Sequence, residues 1–487
     1  MPSPSLLCSM MSLALLAFIC GCRGETNADK DPFKDEAKQE PSQVALADVP
    51  LDTNPSAPGD SEKVAGQELD VRSSPILAEP QEHDSVTKAE SEVSDPESLQ
   101  EDAINALDSG DLVEAFELVR DLKRLDGENP QTIFLMARVL AQKHRFRQAV
   151  KMLDDLAMEF PDAKLAVLGQ TAEWLVFQGD WEAAEERYRT LLSLVDETSL
   201  IDRLLSRLLM RQGRRAEADV FLRRLCRLGN VEEMDLRSLL LLSCPLQGDA
   251  VTDAFDPIGL QGTVRHAISL GDFAAASEIF QQAVDEDSVV LGPAEYALQG
   301  RLLTLLKQFD RLPDWIGGAP VGVEQYSDYW FALGVYQLQT AEFPAAVESF
   351  VRAVSRDETD LRAYRMLADA LNEMGKSEQA KVAGERADLI EQTVMLGEKM
   401  ASNPRRDVRQ ISVLVDLLER LQRPLEALGW RGIQVAYGRA SSMLGEAEAR
   451  NVLQMINQQR IAQLENNDSA AKRLFVTCGI QLPPEPK

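Results

Sequence analysis

The chain has few of the side chains that carry most protein chemistry. Its 487 residues include three histidines and six cysteines. His83, His144 and His266 stand far apart, so no metal site or catalytic triad can be assembled from sequence neighbours. Cys-x-x-Cys, a nucleophile elbow and a glycine-rich phosphate loop are all missing. No catalytic residue, metal or cofactor is therefore expected, and the chain does not read as an enzyme. No long apolar run follows residue 20, which argues against a transmembrane helix beyond that point. Positive charge is also scarce: 51 Lys and Arg stand against 79 Asp and Glu, a net charge of −28. Such an acidic chain repels polyphosphate, so nucleic acid is not an expected partner.

What the chain has is a period. Trp330, Leu333, Gly334, Ala346, Phe350 and Ala353 form a spaced set, five of whose positions recur 34 residues later as Tyr364, Leu367, Ala368, Ala380 and Ala387, with Leu371 among them as a further apolar residue. A unit of that length is one helical hairpin, which cannot bury its apolar face alone and must stack on its neighbours. Small residues (Gly334, Ala346, Ala368) fall where two helices approach closely, and Trp330, Phe350 and Tyr364 fill the spaces between turns. Trp330 is expected to be buried.

An alanine early in the second helix, five residues after a turn residue, can be followed upstream. The pairs are Gly110/Ala115, His144/Ala149, Gly179/Ala184, Gly213/Ala218, Gly271/Ala276 and Gly375/Ala380. Gly-Asp in several turns ends one helix and offers an N-cap to the next, and Pro130 and Pro161 fall between hairpins. Three intervals depart from the period. Ala218 to Ala276 spans 58 residues, with an apolar helix-like run at 234–242 and a breaker-rich stretch at 245–262. Around Leu312 the alanine is replaced, and Trp315, Ile316, Gly317 and Gly318 interrupt the second helix. Ala380 to Ala427 spans 47 residues, as if a helix ran on through 389–400. About nine hairpins result.

These residues and their 34-residue spacing resemble the tetratricopeptide repeat (TPR). The resemblance covers most of 98–440 and is most specific at 326–390. It implies an all-α fold: a TPR-type solenoid of αα-hairpins, wound as a right-handed superhelix, after a disordered N-terminal stalk. The concave groove is lined by first helices, where such proteins bind peptides or other proteins.

The amino-terminal end reads differently. A short apolar stretch, 6–20, ends in Ile19, Cys20, Gly21 and Cys22. This resembles a bacterial lipobox, whose last cysteine (here Cys22) takes diacylglycerol after cleavage and anchors the protein to a membrane. Residues 1–5 carry no Lys or Arg, a departure from ordinary secretory signals. Residues 25–97 hold 19 acidic and 6 basic residues with one aromatic, Phe33. That composition buries too little apolar surface to offset backbone ordering. The expected organisation is a signal at 1–21, an acidic stalk at 22–97, a repeat array at 98–228, an irregular insertion at 229–258, a second array at 259–440, and a capping helix with a tail at 441–487. The tail from Leu474 to Ile480 reads as non-helical, a strand or a junction. Cys226, Cys244 and Cys478 remain after the signal; Cys226 and Cys244 flank the insertion and either pair or stay as free thiols.

Candidate binding residues follow from phase. Arg203 and Arg207, at i and i+4, share one face of a first helix, and Arg138 holds the same register in an earlier repeat. If that face lines the groove, the arginines suit an acidic peptide or a chain terminus; otherwise they are a solvated face. A second basic stretch comprises Arg138, Lys143, His144, Arg145, Arg147 and Lys151. Phe331 and Val335, followed one repeat on by Arg365 and Asp369, either hold an amphipathic helix or pack on the next repeat. The Lys/Asn carboxylate-clamp pattern is absent. The expected function is a lipid-anchored scaffold that binds other envelope proteins or peptides in a bacterial cell envelope, facing the periplasm or the outer membrane. The alternative is a receptor that presents peptides or glycan polymer to a separate enzyme.

Overall fold

The computed structural model describes residues 95–251, 256–285, 291–403, 407–465 and 469–482. Cys22, the expected signal and nearly all of the acidic segment lie outside them. The described residues are helical throughout, with no strand among them, and divide into two units, 1–128 and 129–487.

The first unit, described from residue 95, is one hairpin: α1 (Pro96–Ser109) and α2 (Leu112–Leu125). Gly110 turns the chain with φ 80°, and the Asp111 carboxylate accepts from Val113 N–H and Glu114 N–H at 3.1 and 3.0 Å, capping α2. Ala103, Ala106, Leu107, Ala115, Val119 and Leu122 form its buried seam.

The second unit repeats this plan in α3 (Pro130–Gln142) and α4 (Phe146–Glu159), α5 (Lys164–Gln178) and α6 (Trp181–Leu194), and α7 (Ser199–Arg211) and α8 (Arg215–Leu228). Two short helices follow, α9 (Glu233–Leu240) and α10 (Gln247–Ala250). Hairpins then resume with α11 (Gly259–Ser269) and α12 (Phe273–Asp285), α13 (Pro293–Leu305) and α14 (Leu312–Gly317), α15 (Ser327–Gln339) and α16 (Phe343–Arg356), α17 (Leu361–Glu373) and α18 (Ser377–Ala401), and α19 (Val408–Arg420) and α20 (Pro424–Ala440). The unit ends in α21 (Glu446–Glu465) and α22 (Ser469–Val476).

One turn geometry joins the helices of each hairpin. Gly179 N–H donates to Val176 O at 3.2 Å and Asp180 N–H returns to Leu175 O at 3.0 Å; equivalent pairs of bonds form at His144 and Ala341. This is the Schellman closure, which needs one residue in the left-handed region. His144, Lys307, Ala341 and Gln422 adopt that conformation without being glycine. Five residues after each such turn lies a buried side chain: Ala115, Ala149, Ala184, Ala218, Ala276, Leu312, Ala346, Ala380 or Ala427, none more than 3% exposed. Close approach also explains Gly334, where a Cβ would stand 2.7 Å from the Phe350 ring. The shortened α14 is completed by Trp315, whose ring lies on the bare backbone of Gly300 and whose indole N–H donates to Tyr296 O at 3.0 Å.

The main departure from a simple array is at 229–258. A solenoid is expected to make nearest-neighbour contacts, but α9 and α10 pack between α8 and the C-terminal helices α18 and α20. Leu240 and Leu246 lie against Gly397, and Leu236 and Val231 against Gly429. Leu236, Leu239 and Leu240 share one core with Leu205 and Leu222 on one side and Met400, Ile411, Leu414 and Trp430 on the other. The span read as irregular is thus partly helical and joins parts of the chain about two hundred residues apart. The tail differs in part: α22 carries Leu474 to Val476 in helix, and residues 477–480 form a turn rather than a strand. Tyr364 O–H donates to Val476 O at 2.9 Å, and the Arg386 guanidinium sits 3.5 Å from the Phe475 ring centroid. Cys226, Cys244 and Cys478 are free thiols.

Candidate functional site

The arginines expected to line a groove are engaged by the chain itself. Arg203 Nε donates to Asp235 at 3.1 Å, and its Nη1 and Nη2 reach Glu232 and Asn230 O. Arg207 pairs with Glu232 at 2.8 Å. Both acids open α9, where Glu232 and Asp235 form a reciprocal capping box, so the arginines dock onto a negatively charged helix start. Arg211 holds Asp256, Arg224 holds the buried Asp202, and Arg215 donates to the last carbonyls of the α9 segment, Leu241 O and Leu242 O. Burial lowers the Arg215 pKa to about 10, which leaves it charged at neutral pH.

Two buried ionic chains extend this seam. In one, Asp328 is held by Arg265 at 2.6 Å and by Arg301, which also holds Asp360. Burial would raise the Asp328 pKa, but Arg265 and Arg301 outweigh it and hold the carboxylate below its usual range. Asp357 accepts from the N–H and hydroxyl of Thr359, whose hydroxyl oxygen in turn accepts from Leu242 N–H at 2.8 Å. Burial, then the charge of Asp360, raises Asp357 to about 6. In the other chain, Arg223 holds Glu358 at 2.7 Å and Glu426 at 3.3 Å, and Arg423 holds Glu426 while donating to Leu239 O at 2.6 Å. Burial opposes ionisation of Glu358, but Arg223, Arg423 and Lys472 together bring its pKa down to about 2. Sequence reasoning missed these chains. The one visible signal was the acidic loop Asp357, Glu358 and Asp360 between two hairpins.

The other expected residues separate by exposure. Arg138 is buried in α3. Phe331 and Val335 are core residues rather than groove lining: Phe331 packs on Phe350 and lies under the Arg301 guanidinium at 4.1 Å. Arg365 and Asp369 reach solvent on α17, and Arg365 pairs with Glu391 at 2.7 Å. Among the signature residues, Gly334, Ala346, Phe350, Ala353, Tyr364, Leu367 and Ala380 are buried, and Leu333 and Ala368 are half-buried. Trp330 corrects the expectation of full burial. It is half-buried, capped by the guanidinium groups of Arg352 and Arg356, with its indole N–H donated to Glu324 O.

Open apolar surface lies at the C-terminal end, where a shallow cleft of about 390 Å³ runs between α20 and α21, lined by Val435, Leu444, Val452, Met455 and Ile456. Among the described residues, no cluster of three or more His, Cys, Asp or Glu could hold a metal, and no helix is long and apolar enough to cross a membrane.

Fold and site together define a helical-hairpin repeat protein. Family models described as tetratricopeptide repeat match residues 106–169 and 172–229. The chain carries tetratricopeptide repeats, and proteins built from them bind other proteins or peptides. No curated protein matches it. Among solved structures, a tetratricopeptide repeat protein from Parabacteroides merdae ATCC 43184 is 15% identical, with 57% of this chain and 99% of that chain covered and a TM-score of 0.27. The APC/C hetero-tetramer Cut9–Hcn1 is 15% identical over 79% of this chain and 82% of that chain, with a TM-score of 0.25. The Naa15/Naa10 complex bound to HypK-THB is 11% identical over 78% and 54%, with a TM-score of 0.26. Scores this low add nothing to the repeat assignment.

Proposed function

We propose that this chain is a membrane-anchored TPR scaffold of a bacterial cell envelope that holds other envelope proteins or peptides. The observation that carries the scaffold reading is the match of tetratricopeptide models to 106–169 and 172–229, in register with hairpins whose turns and buried alanines repeat. The anchor rests on Ile19, Cys20, Gly21 and Cys22 at the end of an apolar stretch, with the acidic segment 25–97 between that cysteine and the repeats. The partner-facing residues in this reading are those that reach solvent on first helices, Arg365 and Asp369 among them. Arg203 and Arg207 hold the middle of the unit together instead.

The test has two arms. Cells fed an alkyne fatty acid should label the wild-type chain, and Cys22→Ser should abolish both label and sedimentation with membranes. A labelled Cys22→Ser chain would remove the anchor from the account. Mild-detergent pull-down should recover a stoichiometric protein partner. Retention by purified cell wall without any protein would favour a polymer receptor instead.

A further inference from the structure

We propose that the corner formed by the α3–α4 turn and the end of α5 is a docking surface for an acidic polypeptide segment carrying an aromatic or large apolar side chain. This rests on the scaffold reading and names a surface and a partner chemistry for it.

Residues 143–151 contain Lys143, Arg145, Arg147 and Lys151 and no carboxylate, in a chain of net charge −28. All four side chains are exposed. Arg145, Arg147 and Lys151 form no ion pair among the described residues, whereas six of the arginines between residues 203 and 227, Arg203, Arg207, Arg211, Arg214, Arg223 and Arg224, each hold a carboxylate. Arg145, Arg147 and Lys151 lack the internal countercharge that those arginines have. Asp180 caps α6, but the corresponding residue before α4 is Arg145, which makes no side-chain cap, and the first turn of α4 has no acid. Cations at a helix start are opposed by its dipole, so local helix stability does not explain their presence.

Among these cations lies an aromatic surface. Phe146 stacks on Phe177 with ring centroids 5.9 Å apart and planes 21° apart, and His144 meets Phe146 edge-on. Phe177 is 53% exposed, although a phenylalanine at the end of a first helix could turn inward. An exposed ring stacked on Phe146, itself flanked in sequence by the exposed, unpaired Arg145 and Arg147, fits a chain that supplies carboxylates and one ring to stack. An anionic bilayer would also meet cations and phenylalanine here. It is disfavoured because a bilayer is flat and would bring the surrounding acidic surface within about one Debye length, roughly 8–10 Å. A narrow segment can follow the local patch alone.

The test uses the full chain in mild detergent and a fluorescein-labelled peptide of glutamates around one tryptophan, read by anisotropy at low and physiological salt. The wild type should bind it, and should bind a serine-for-tryptophan version and a lysine-for-glutamate version much less. Arg145→Glu/Arg147→Glu should weaken binding on the order of tenfold or more, and Phe177→Ser should weaken it measurably while leaving the salt dependence. Arg409→Glu/Arg420→Glu, exposed cations on α19 with no aromatic partner, should leave it unchanged. All these sites are at the surface, and an unchanged melting temperature would confirm that the variants fold. Absence of binding by the wild type, or equal loss in the α19 control, overturns the proposal. So does binding to phosphatidylglycerol vesicles, but not the peptide, that is lost in Arg145→Glu/Arg147→Glu. A partner recovered from cells despite such a result would leave the scaffold reading standing and remove this surface from it.

Discussion

Arg223 and Glu426 are 203 residues apart in the chain and meet at 3.3 Å, with Glu358 held by the same guanidinium at 2.7 Å. A repeat array that contacts only its neighbours could not bring them together. The contact exists because α9 and α10 interrupt the period and fill the space between α8 and the C-terminal hairpins. The second unit is therefore held by long-range ionic and apolar contacts as well as by stacking.

Asp328 is the clearest place to test the ionic part. It is almost fully buried between Arg265 and Arg301. Removing it leaves two buried guanidinium groups uncompensated, so Asp328→Ala should lose about 3–5 kcal/mol. Asp328→Asn, which keeps hydrogen-bond acceptance, should lose less. Chemical denaturation of both variants checks this, and equal losses would show that charge is not what matters there.

Close packing predicts opposite causes at two glycines. Gly334→Ala places a methyl 2.7 Å from the Phe350 ring and should cost about 1–3 kcal/mol by overpacking. Gly375→Ala meets no atom within 4 Å, but the residue sits at φ 74°, so its cost, on the order of 1 kcal/mol, is backbone strain. Adding Phe350→Leu should relieve the first loss and leave the second, which a double-mutant cycle would read.

Trp330, on a first helix, and Trp430, on a second, differ in burial. Trp430 is wholly buried in the core that joins α9 to the C-terminal hairpins, and Trp430→Ala should cost about 3–5 kcal/mol. Trp330→Ala, at a half-buried ring under Arg352 and Arg356, should cost clearly less. Comparing the two denaturation midpoints checks the order, which full burial of Trp330 would reverse or erase.

Glu173 gives the stability a pH dependence. Burial raises its pKa from 4.5 to about 7, against the opposing hydrogen bond from Gln170. Between these values the folded state binds more protons than the unfolded state, so this residue's contribution favours folding below pH 4.5 and is lost as pH rises toward 7 and beyond. Glu173→Gln should therefore raise the melting temperature at pH 8 and change it little at pH 4.5. A larger gain at the acidic end would contradict this sign.

The hairpins were legible because their determinants are local. A turn residue and a buried side chain five positions later recur through nine turns, that side chain being alanine at eight of them and Leu312 at the other, and all are buried as the spacing requires. The 34-residue set from Trp330 likewise marked α15 through α18. The closing contacts were not legible, because they join residues distant in sequence. Nothing adjacent to Arg203 and Arg207 says that Glu232 and Asp235 will meet them, so they read as groove cations. Phe331 and Val335 stayed open between groove lining and packing on the next repeat for the same reason: phase places a residue on a face, but not what covers that face. The tail failed differently. Residues 474–480 taken alone carry Val476, Thr477, Gly479 and Ile480, but Ala470 to Leu474 ahead of them are good helix formers that carry α22 through Val476, where Tyr364 and Arg386 hold it. Arg203→Glu/Arg207→Glu would accordingly test the seam's stability before it tested binding.

The central claim is that the repeats hold another protein. It is tested most directly by tagging the C-terminus in the native organism, crosslinking in cells, and quantifying co-purified proteins for wild type, Arg365→Glu/Asp369→Lys and Arg145→Glu/Arg147→Glu at matched expression. The account predicts at least one partner recovered stoichiometrically with wild type and depleted in one of the surface variants while the fold is retained. Wild-type and variant profiles that both match an untagged control would contradict it.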